Sequence, residues 1–501
     1  MILRLGERAV TLGDLLAVAR GRAEVEVGAQ ARHRVEQARA TVERAATSDT
    51  PVYGVNSALG ANTGQRIAPQ DLADYQRRAV RARAVGVGEP LDVVCVRAMM
   101  FARACGMAQG GSGVSPHVLD ALIAMLNRGV HPVVPGIGSI SVADLPPLAH
   151  LALVLIGEGN AEFDGVRSDG ADAMQRAGLA PITLAAKDGL ALVSANAATI
   201  ASAALAIERV QRILASWLSA VALSFEAFGA NLSPFEPLAV AARPARGQVE
   251  VAARLRELLA GSALLQPGHA RRVQDPLSFR LVAQVHGAAH WLTDEARAQI
   301  ELELNSAADS PLVANDTMLS NGNFHVPALA ITLDACALAL AQVASLGVQR
   351  CQRFMAPQFT DLPLQLTTRG PAHSGFATIQ KTLTSLWAQV RHLANPGSLD
   401  FFPVSEAIED HATMALLVAE KLAAMATKCE YIAAIELLIA AQALDLCDGA
   451  NHARGGGASE AYQHVRGLVP MLDEDRPLGP DVDAIAGQVS TGAFVAADRA
   501  A

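Results

Sequence analysis

Two kinds of residue spacing in the sequence are typical of chemical sites, a histidine pair and glycine-rich stretches. His286 and His290 stand four residues apart, which would place two imidazoles on one face of a helix as a metal pair. No third ligand is evident near them, so we interpret both as structural histidines. The glycines at 136–138 and 455–457 lack the full spacing of a phosphate-binding loop and are interpreted as turns. The sequence therefore predicts no metal site.

The cysteines indicate reduced thiols. The chain has six, and they are Cys95, Cys105, Cys336, Cys351, Cys429 and Cys447. None has CxxC spacing, and each lies in an apolar stretch of helical pattern, which is typical of buried thiols in a reducing compartment. The first residues, Met1 to Arg4, lack the apolar run of a signal peptide. We therefore expect a cytoplasmic protein.

Several sequence blocks occur in a fixed order between roughly residues 50 and 415. They are YGVN at 53–56, GVGEPL at 86–91, GSISVADLPPLAH at 138–150, QDPLSFR at 274–280, QVHGA at 284–288, ELNS at 303–306, GNFH at 322–325, SGF at 374–376 and EDH at 409–411. Each block alone is weak evidence, but the whole series resembles the histidine and aromatic amino acid ammonia-lyases. The resemblance implies a mainly α fold, an ammonia-lyase-like elongated helical bundle with a smaller, loop-rich N-terminal domain.

The segment from Gly138 to Asp144 departs from the family in the feature that matters most for chemistry. The family makes an electrophile, methylidene-imidazolone (MIO), by cyclising an internal Ala-Ser-Gly, and the glycine permits the close backbone approach. Here the segment is one residue shorter than in the family and contains no internal glycine. Ser139 and Ser141 are each followed by a β-branched residue instead. The sequence therefore predicts that no MIO, and no other cofactor, is present.

Two positions that support the electrophile in the family differ as well. Ser194 aligns with the asparagine that assists the MIO oxygen, and Leu277 aligns with the tyrosine of the QDxYSxR block. Three features that form or support the electrophile in the family therefore differ here: the 138–144 segment, Ser194 and Leu277. Their joint change favours a change of chemistry over random decay of the site.

Other site residues are retained, and the resemblance implies a role for each of them. Tyr53 aligns with the catalytic base, whose phenol must be activated by nearby positive charge or hydrogen bonds to remove a carbon-bound proton. Arg280 aligns with the arginine that binds the substrate carboxylate through its planar fork. Asn305 lies in a block that lines the same pocket. Glu409 aligns with the glutamate that faces the imidazole ring in the histidine-specific branch, so an azole substrate is expected.

Two cations stand where the family has other residues. Arg83 replaces the histidine of a Ser-His pair, and Lys381 stands where an apolar residue is expected. Each is either a surface cation with an extended apolar stem or an additional donor to the substrate. Phe324 and Phe376, in the GNFH and SGF blocks, are candidates to contact a cationic head group through their ring faces.

A base and a carboxylate clamp without the electrophile suit a substrate that already carries a good leaving group. A trimethylammonium group has no N–H proton to lose, so it stays cationic and leaves as neutral trimethylamine. The natural azole betaines are hercynine and its 2-thio derivative, ergothioneine. The residues therefore predict a MIO-independent carbon–nitrogen lyase that converts ergothioneine to thiourocanate. A lyase on hercynine or another betaine, and a non-catalytic homologue that acts as a binding protein, remain alternatives.

Long helices must position these blocks. Leu190–Phe228 and Val404–Asp448 contain no Gly or Pro, and Ala328–Leu346 and Ser374–Ala394 also show helical spacing. We predict an N-terminal domain over residues 1–187 and a long-helix domain over residues 188–501. Wide apolar faces indicate burial against other subunits, and the resemblance implies a homotetramer with active sites shared between subunits.

Composition and charge exclude several classes of protein. Hydrophobic residues make up 51% of the chain, so a large core is available and disorder is excluded. The net charge of −9 disfavours binding to nucleic acid or to an anionic membrane surface. The apolar run Leu190–Ile207 contains several polar residues, so it is predicted to be a buried core helix and not a membrane span.

The intact mass of the purified protein should equal the mass of its sequence. MIO formation would remove two water molecules, and intact-protein mass spectrometry resolves that difference. Treatment with borohydride or cyanide, which react with the MIO electrophile, should leave activity unchanged. A deficit of two waters would contradict the prediction.

Overall fold

The computed structural model describes residues 1–58, 65–447 and 453–495, and its secondary structure is mainly α-helical, as predicted. The helices are α1 (Leu12–Ala19), α2 (Ala29–Thr47), α3 (Leu72–Arg81), α4 (Val93–Ala108), α5 (Pro116–Asn127), α6 (Leu145–Leu155), α7 (Gly170–Arg176), α8 (Asp188–Val193), α9 (Ala197–Phe228), α10 (Pro237–Ala241), α11 (Gln248–Leu258), α12 (Leu277–Arg280), α13 (Val282–Leu304), α14 (Pro327–Phe354), α15 (Pro357–Thr360), α16 (Ile379–Leu393), α17 (Ala415–Leu446), α18 (Gly456–Leu468) and α19 (Gly479–Thr491). Short 3₁₀ turns occur at Pro69–Asp71, Ser233–Phe235, Ala263–Leu265 and Leu364–Leu366.

The strands are short and form small separate sheets. They are β1 (Ile2–Leu5), β2 (Glu24–Val27), β3 (Val87–Pro90), β4 (His131–Pro132), β5 (Pro135–Ile137), β6 (Asn160–Phe163), β7 (Val166–Asp169), β8 (Leu312–Ala314) and β9 (Thr317–Leu319). β1 pairs with β2 in parallel, while β3–β5, β4–β6–β7 and β8–β9 are antiparallel. These pairs stiffen the connections between helices and do not form a core of their own.

The chain divides into two compact units, and each unit is discontinuous in sequence. Unit 1 contains residues 1–205, 296–333 and 396–420, and unit 2 contains residues 206–295, 334–395 and 421–501. The sequence predicts one boundary, between residues 187 and 188. Four of the five divisions between the units fall inside α9, α13, α14 and α17, because each of these helices is long enough to contribute residues to both units, and the fifth lies between residues 395 and 396, after α16.

The predicted helix Leu190–Phe228 is interrupted near its start. Helix α8 ends at Val193, and α9 begins at Ala197. The backbone carbonyl of Ala195 accepts a hydrogen bond from the amide of Asp144 at 2.7 Å, so it is engaged outside the helix. The interruption leaves Ser194 in a non-helical conformation and positions the start of α9 beside residue 144.

The second long helix predicted from the sequence, Val404–Asp448, is a loop at its start. Residues 404–409 form a tight turn in which the Val404 and Glu409 backbones exchange hydrogen bonds, and Ser405, Glu406 and Ala407 have positive φ. Helix α17 therefore starts at Ala415 and ends at Leu446. The predicted end, Asp448, lies outside the described residues. The predicted helix Ala328–Leu346 lies within α14, which continues to Phe354, and the prediction Ser374–Ala394 covers α16, which begins only at Ile379; both helices exist, with different ends.

Two helical stretches of the described chain are long and apolar enough to cross a membrane. They are Asp188–Phe228 and Pro327–Phe354, and 89% and 61% of their most apolar windows are buried inside the protein. Such burial is typical of core helices. The described cysteines are buried, as predicted, except Cys447, which is half-buried.

The core of unit 2 contains a buried carboxylate with several donors. Glu436 on α17 accepts hydrogen bonds from Arg350 at 2.6 and 3.0 Å, from the Trp217 indole at 2.8 Å and from the Ser224 hydroxyl at 2.9 Å. The side chains of Arg350 and Glu436 are both 0% exposed. Each charge is therefore satisfied by buried protein partners, and Arg350 also donates to the Ser278 carbonyl at 2.9 Å.

Replacing Glu436 should destabilise the protein strongly. Glu436→Ala leaves the Arg350 guanidinium buried without a counter-charge, and removing one partner of a buried pair costs about 3–5 kcal/mol. Denaturant unfolding measures the loss of free energy. The control is Glu26→Ala, because Glu26 pairs with Arg4 where both side chains are about half exposed, and exposed pairs contribute less than about 1 kcal/mol. Similar losses in both variants would contradict the assignment.

Candidate active site

The 138–144 segment, between β5 and α6, is held by a buried carboxylate. Asp144 accepts hydrogen bonds from the Ser139 hydroxyl at 2.7 Å, from the Thr199 amide at 2.7 Å and from the Thr199 hydroxyl at 2.9 Å. Its side chain is fully buried, and burial raises the pKa of this carboxyl. Ser141 and Ala143 have φ values of 58° and 54°, so the segment turns twice through the left-handed region.

The hydroxyl of Ser141 is also engaged within the fold. It accepts a hydrogen bond from the Leu416 amide at 2.9 Å and lies 3.1 Å from the Thr199 hydroxyl. The Ser141 carbonyl accepts the Thr413 hydroxyl at 3.2 Å. The Ser141 amide in turn donates to the Ser139 hydroxyl at 2.9 Å. Ser139 therefore forms hydrogen bonds within the segment, and Ser141 joins the segment to α9 and to the start of α17.

The backbone of Phe324 and His325 lies beside this segment. The backbone of His325 forms a β-bridge with Val142, and the Asn196 side-chain amide donates to the Phe324 carbonyl at 2.5 Å. Ser194, which is 7% exposed, precedes Asn196 in the break between α8 and α9. The structure thus brings Ser194 and Phe324 to the 138–144 segment.

Glu409 is half-buried at the end of the 404–409 turn. Two residues later, the His411 Nδ1 lies 2.8 Å from the His325 Nε2, and the His411 ring is 5.1 Å from the Phe401 ring. Burial, and next the charge of His411, lower the pKa of His325. The chain segment that contains Glu409 and the segment that contains Phe324 are therefore joined by a direct contact between the His411 and His325 side chains.

Tyr53 is 40% exposed in a loop that Asn56 stabilises. The Asn56 side chain accepts from the Val52 amide at 2.6 Å and donates to three backbone carbonyls between residues 45 and 50. Val55 packs in a buried apolar cluster, so the tyrosine between these anchors points away from the core. It lines a cleft with Arg44, Asp316 and several small residues, and the lining of this cleft includes neither the 138–144 segment nor Glu409.

Two other predicted residues of unit 1 make hydrogen bonds to backbone. Asn305 accepts from the Val10 amide at 2.8 Å and donates to the Val10 and Glu301 carbonyls at 2.8 and 2.7 Å. Its amide therefore joins the N-terminal segment to the end of α13, a structural task. Arg83 is half-buried after α3 and donates to the Ala79 carbonyl at 2.9 Å, which leaves other guanidinium nitrogens for a ligand.

Three predicted residues lie in unit 2. Arg280 ends the short helix α12 and donates to the Gln274 side chain at 3.0 Å. Lys381 is exposed in the first turn of α16. Phe376 is 0% exposed, so its ring is packed inside unit 2 and presents no open face to a ligand, contrary to the role predicted for it.

The histidine pair on α13 is not accompanied by further metal ligands. His286 is fully buried, with its ring edge-on to Trp217, and burial lowers its pKa well below the ordinary value. Within residues 1–58, 65–447 and 453–495, no three His, Cys, Asp or Glu side chains converge as a metal site.

Sequence analysis missed two parts of this site. The contact between His325 and His411 joins residues 86 positions apart, and the bond network of Asp144 depends on Thr199 in the next long helix. Both histidines stand in blocks that were recognised, GNFH and EDH. The blocks give residue types, however, and only the folded backbone shows that the two rings meet.

The comparisons with known proteins cover almost the whole chain. The aromatic amino acid lyase family profile matches residues 10–467. The chain is 40% identical to the histidine ammonia-lyase of Myxococcus xanthus over 98% of this chain and 97% of that protein. The ergothionase of Treponema denticola, solved in complex with desmethyl-ergothioneine sulfonic acid, superposes with a TM-score of 0.95 at 32% identity, covering 99% and 100% of the two chains. The histidine ammonia-lyase of Trypanosoma cruzi superposes with a TM-score of 0.89 at 31% identity, covering 99% and 94%.

Stability should depend on pH through Glu420, on α17 near Asp144. Burial, and next the Asp144 charge, raise the pKa of Glu420 to about 6. The folded protein thus holds this proton more tightly than the unfolded chain does, whose glutamate pKa is about 4.3. The stabilising contribution is complete below the unfolded pKa and is lost as pH rises through the folded pKa.

Glu420→Gln should remove this dependence, so the variant gains stability relative to the wild type between pH 5 and pH 7.5. Denaturant unfolding at the two pH values measures the difference. Glu158→Gln is the control: the hydrogen bond from Arg81 lowers the pKa of Glu158, so this carboxylate stays essentially ionised in both states from pH 5 to pH 7.5, and its replacement should leave the pH dependence in that range unchanged. An unchanged pH profile in Glu420→Gln would show that the group titrates normally.

Proposed function

Because this chain belongs to the aromatic amino acid lyase family, we propose that it is a carbon–nitrogen lyase of the ergothionase type. In this proposal it eliminates trimethylamine from ergothioneine and releases thiourocanate, and it does so without MIO. The proposal assigns Tyr53 as the base and Arg280 as the carboxylate clamp, because both residues are retained in their sequence blocks.

The 138–144 segment is the observation that carries the proposal. An internal glycine is required after the cyclising serine, and Ile140 and Val142 occupy those positions. The Ser141 hydroxyl, which dehydration would remove, instead accepts the Leu416 amide at 2.9 Å and contacts Thr199. The residues present therefore do not fit the MIO group, and no step of the mechanism is routed through it.

The proposed reaction needs a base and a leaving group. Tyr53, as phenolate, removes the proton from the β-carbon, and the C–H electron pair forms the double bond to the α-carbon. The α-carbon–nitrogen bond breaks with its electron pair on nitrogen, so trimethylamine leaves neutral. A primary ammonium substrate lacks this route, since a base would first remove an N–H proton and leave a poor leaving group. The trimethylammonium head thus does what the electrophile does elsewhere in the family.

The remaining polar residues bind the two ends of the substrate in this proposal. Glu409 accepts the ring N–H, and Lys381 or Arg83 donates to the thione sulfur. Phe324 contacts the trimethylammonium head through its ring face, and Ser194 lines the same space. We assign Asn305 and Phe376 to the scaffold, because the first is engaged with backbone and the second is fully buried.

We further propose that the protein acts as a homotetramer with active sites shared between subunits. Large apolar side chains remain exposed on the single chain around Glu409, including Leu399 at 78%, Phe402 at 81% and Ile408 at 66%. Side chains of this size are seldom left exposed together in a soluble protein. Burial against a second copy would cover them and enclose the residue that binds the ring.

Two alternatives follow from particular observations. The 40% identity to a histidine ammonia-lyase, together with Glu409, favours an azole ring but does not specify sulfur at C2, so a lyase on hercynine or another betaine is the second candidate. A binding protein without activity is the third, and it would not require retention of Tyr53.

A panel of substrates tests the proposal. Ultraviolet absorbance of the conjugated acrylate measures turnover of ergothioneine, hercynine and histidine. Histidine should be inert, and ergothioneine should react faster than hercynine, because a site built for the thione has unpaired donors when the sulfur is absent. Lys381→Met should slow ergothioneine selectively. An equal effect on both betaines would transfer the sulfur contact to Arg83, and faster deamination of histidine would overturn the proposal.

Substitution of the proposed base, Tyr53, should change mainly kcat, and substitution of the proposed carboxylate-binding residue, Arg280, should change mainly KM. Tyr53→Phe should lower kcat by about 10²–10⁴ with little change in substrate binding, since the phenol removes the proton. Arg280→Lys should raise KM by about 10-fold or more, since the ammonium cannot form the bidentate fork. Steady-state kinetics and calorimetric binding measure both effects. Turnover near that of the wild type in Tyr53→Phe would mean that the base is misassigned.

A further inference from the structure

The loop that carries Glu409 is exposed at its tip and fixed at its base. Residues 402–408 are all exposed, and their backbone hydrogen bonds close the turn on itself, Val404 with Glu409 and Ile408 with Ser405. Three consecutive residues with positive φ, Ser405 to Ala407, add strain to the turn. The position of Glu409 therefore depends on contacts made at the base of the loop.

His411, just after the loop, contacts Phe401 at the other end of the loop and His325 of a separate segment. Its ring lies 5.1 Å from the ring of Phe401, where the loop begins, and its Nδ1 lies 2.8 Å from the His325 Nε2. Two neutral imidazoles at this distance share one hydrogen bond, with one nitrogen donating and the other accepting. Burial and the neighbouring ring lower the pKa of His325, which favours the neutral ring at physiological pH.

His325 is itself held firmly in place. Its amide donates to the Gly322 carbonyl at 3.0 Å, and its backbone forms a bridge with Val142 of the 138–144 segment. The preceding carbonyl, that of Phe324, accepts the buried Asn196 amide. Backbone contacts therefore hold His325 in place, and the position of the His411 ring depends on its hydrogen bond to His325.

We infer that His325 and His411 are positioning residues, whose mutual hydrogen bond sets the location of Glu409 relative to Phe324. This inference rests on the proposed function for the role of Glu409 toward the azole ring. The pair acts on binding, because Glu409 contacts the ring in the ground state and in the transition state alike. It contributes no proton to the elimination.

Kinetics of four variants test the inference. His411→Leu and His325→Leu remove the hydrogen bond and should raise KM for ergothioneine by about 5–20-fold with kcat changed less than about 3-fold. His411→Asn and His325→Gln place an amide near the lost Nδ1 and Nε2 and should restore KM to within about 3-fold of the wild type. His33→Leu, an exposed position on α2, is the control and should change neither constant.

A double-variant cycle separates action through Glu409 from a general loss of structure. If the pair acts through Glu409, adding His411→Leu to Glu409→Gln should not raise KM beyond the value of Glu409→Gln alone. Additive increases would overturn the inference, and so would a failure of His411→Asn to rescue His411→Leu.

Hydrogen–deuterium exchange tests the pair without reference to any substrate. The backbone amides of Val404 and Glu409, which close the turn, should exchange at least about 5-fold faster in His411→Leu than in the wild type, while His411→Asn should behave as the wild type. Equal rates in His411→Leu and the wild type would overturn the inference whatever the enzyme acts on. Inertness of the wild type toward every betaine, with the exchange difference intact, would instead refute the proposed function alone.

Discussion

The carboxylate of Asp144 is the interaction on which the candidate site depends. It is fully buried, and it binds the Ser139 hydroxyl and both the amide and the hydroxyl of Thr199. Its own amide donates to Ala195 and so helps to interrupt the helical stretch between α8 and α9. A buried carboxylate without donors would be costly, so these partners and the backbone that presents them are constrained together. Through Ser141, the same network extends to the start of α17.

This constraint gives a reason for serines in a segment that has no internal glycine. In the proposed chemistry no cyclisation occurs, and a serine needed only for cyclisation would be free to change. Ser141 has a second task, since its hydroxyl satisfies the Leu416 amide and its carbonyl accepts Thr413. Replacing it with an apolar residue would leave a buried backbone amide unsatisfied, at a cost of about 1–3 kcal/mol. Retained serines are therefore compatible with a site that has no electrophile.

The helices and the residue types of the site could be predicted from the sequence. Helix starts, side-chain burial and contacts between distant residues could not, because tertiary contacts determine them. Periodicity located α14 and α16 well, because their apolar faces continue from end to end. It overextended the helices that begin at Ala197 and Ala415, since propensity alone cannot register that the Ala195 carbonyl is bound to Asp144. Complete burial of Phe376 was equally invisible, because a motif fixes the residue type and leaves its side-chain environment open. The contact of His325 with His411 required the two chain segments to be seen together.

Overall sequence identity does not decide between the histidine ammonia-lyase activity and the ergothionase activity of the relatives. Identity of 40% to a histidine ammonia-lyase and 32% to an ergothionase is dominated by the helices, which any member of the fold must pack. In the proposed function, the choice between an ammonium and a trimethylammonium leaving group depends on very few positions. These are Ile140 and Val142, which follow Ser139 and Ser141, together with Ser194 and Leu277. The proposal interprets all four as changes away from an electrophile, while Tyr53 and Arg280, the proposed base and carboxylate clamp, are kept. A base and a clamp without an electrophile can complete an elimination only when the nitrogen already leaves as a neutral amine.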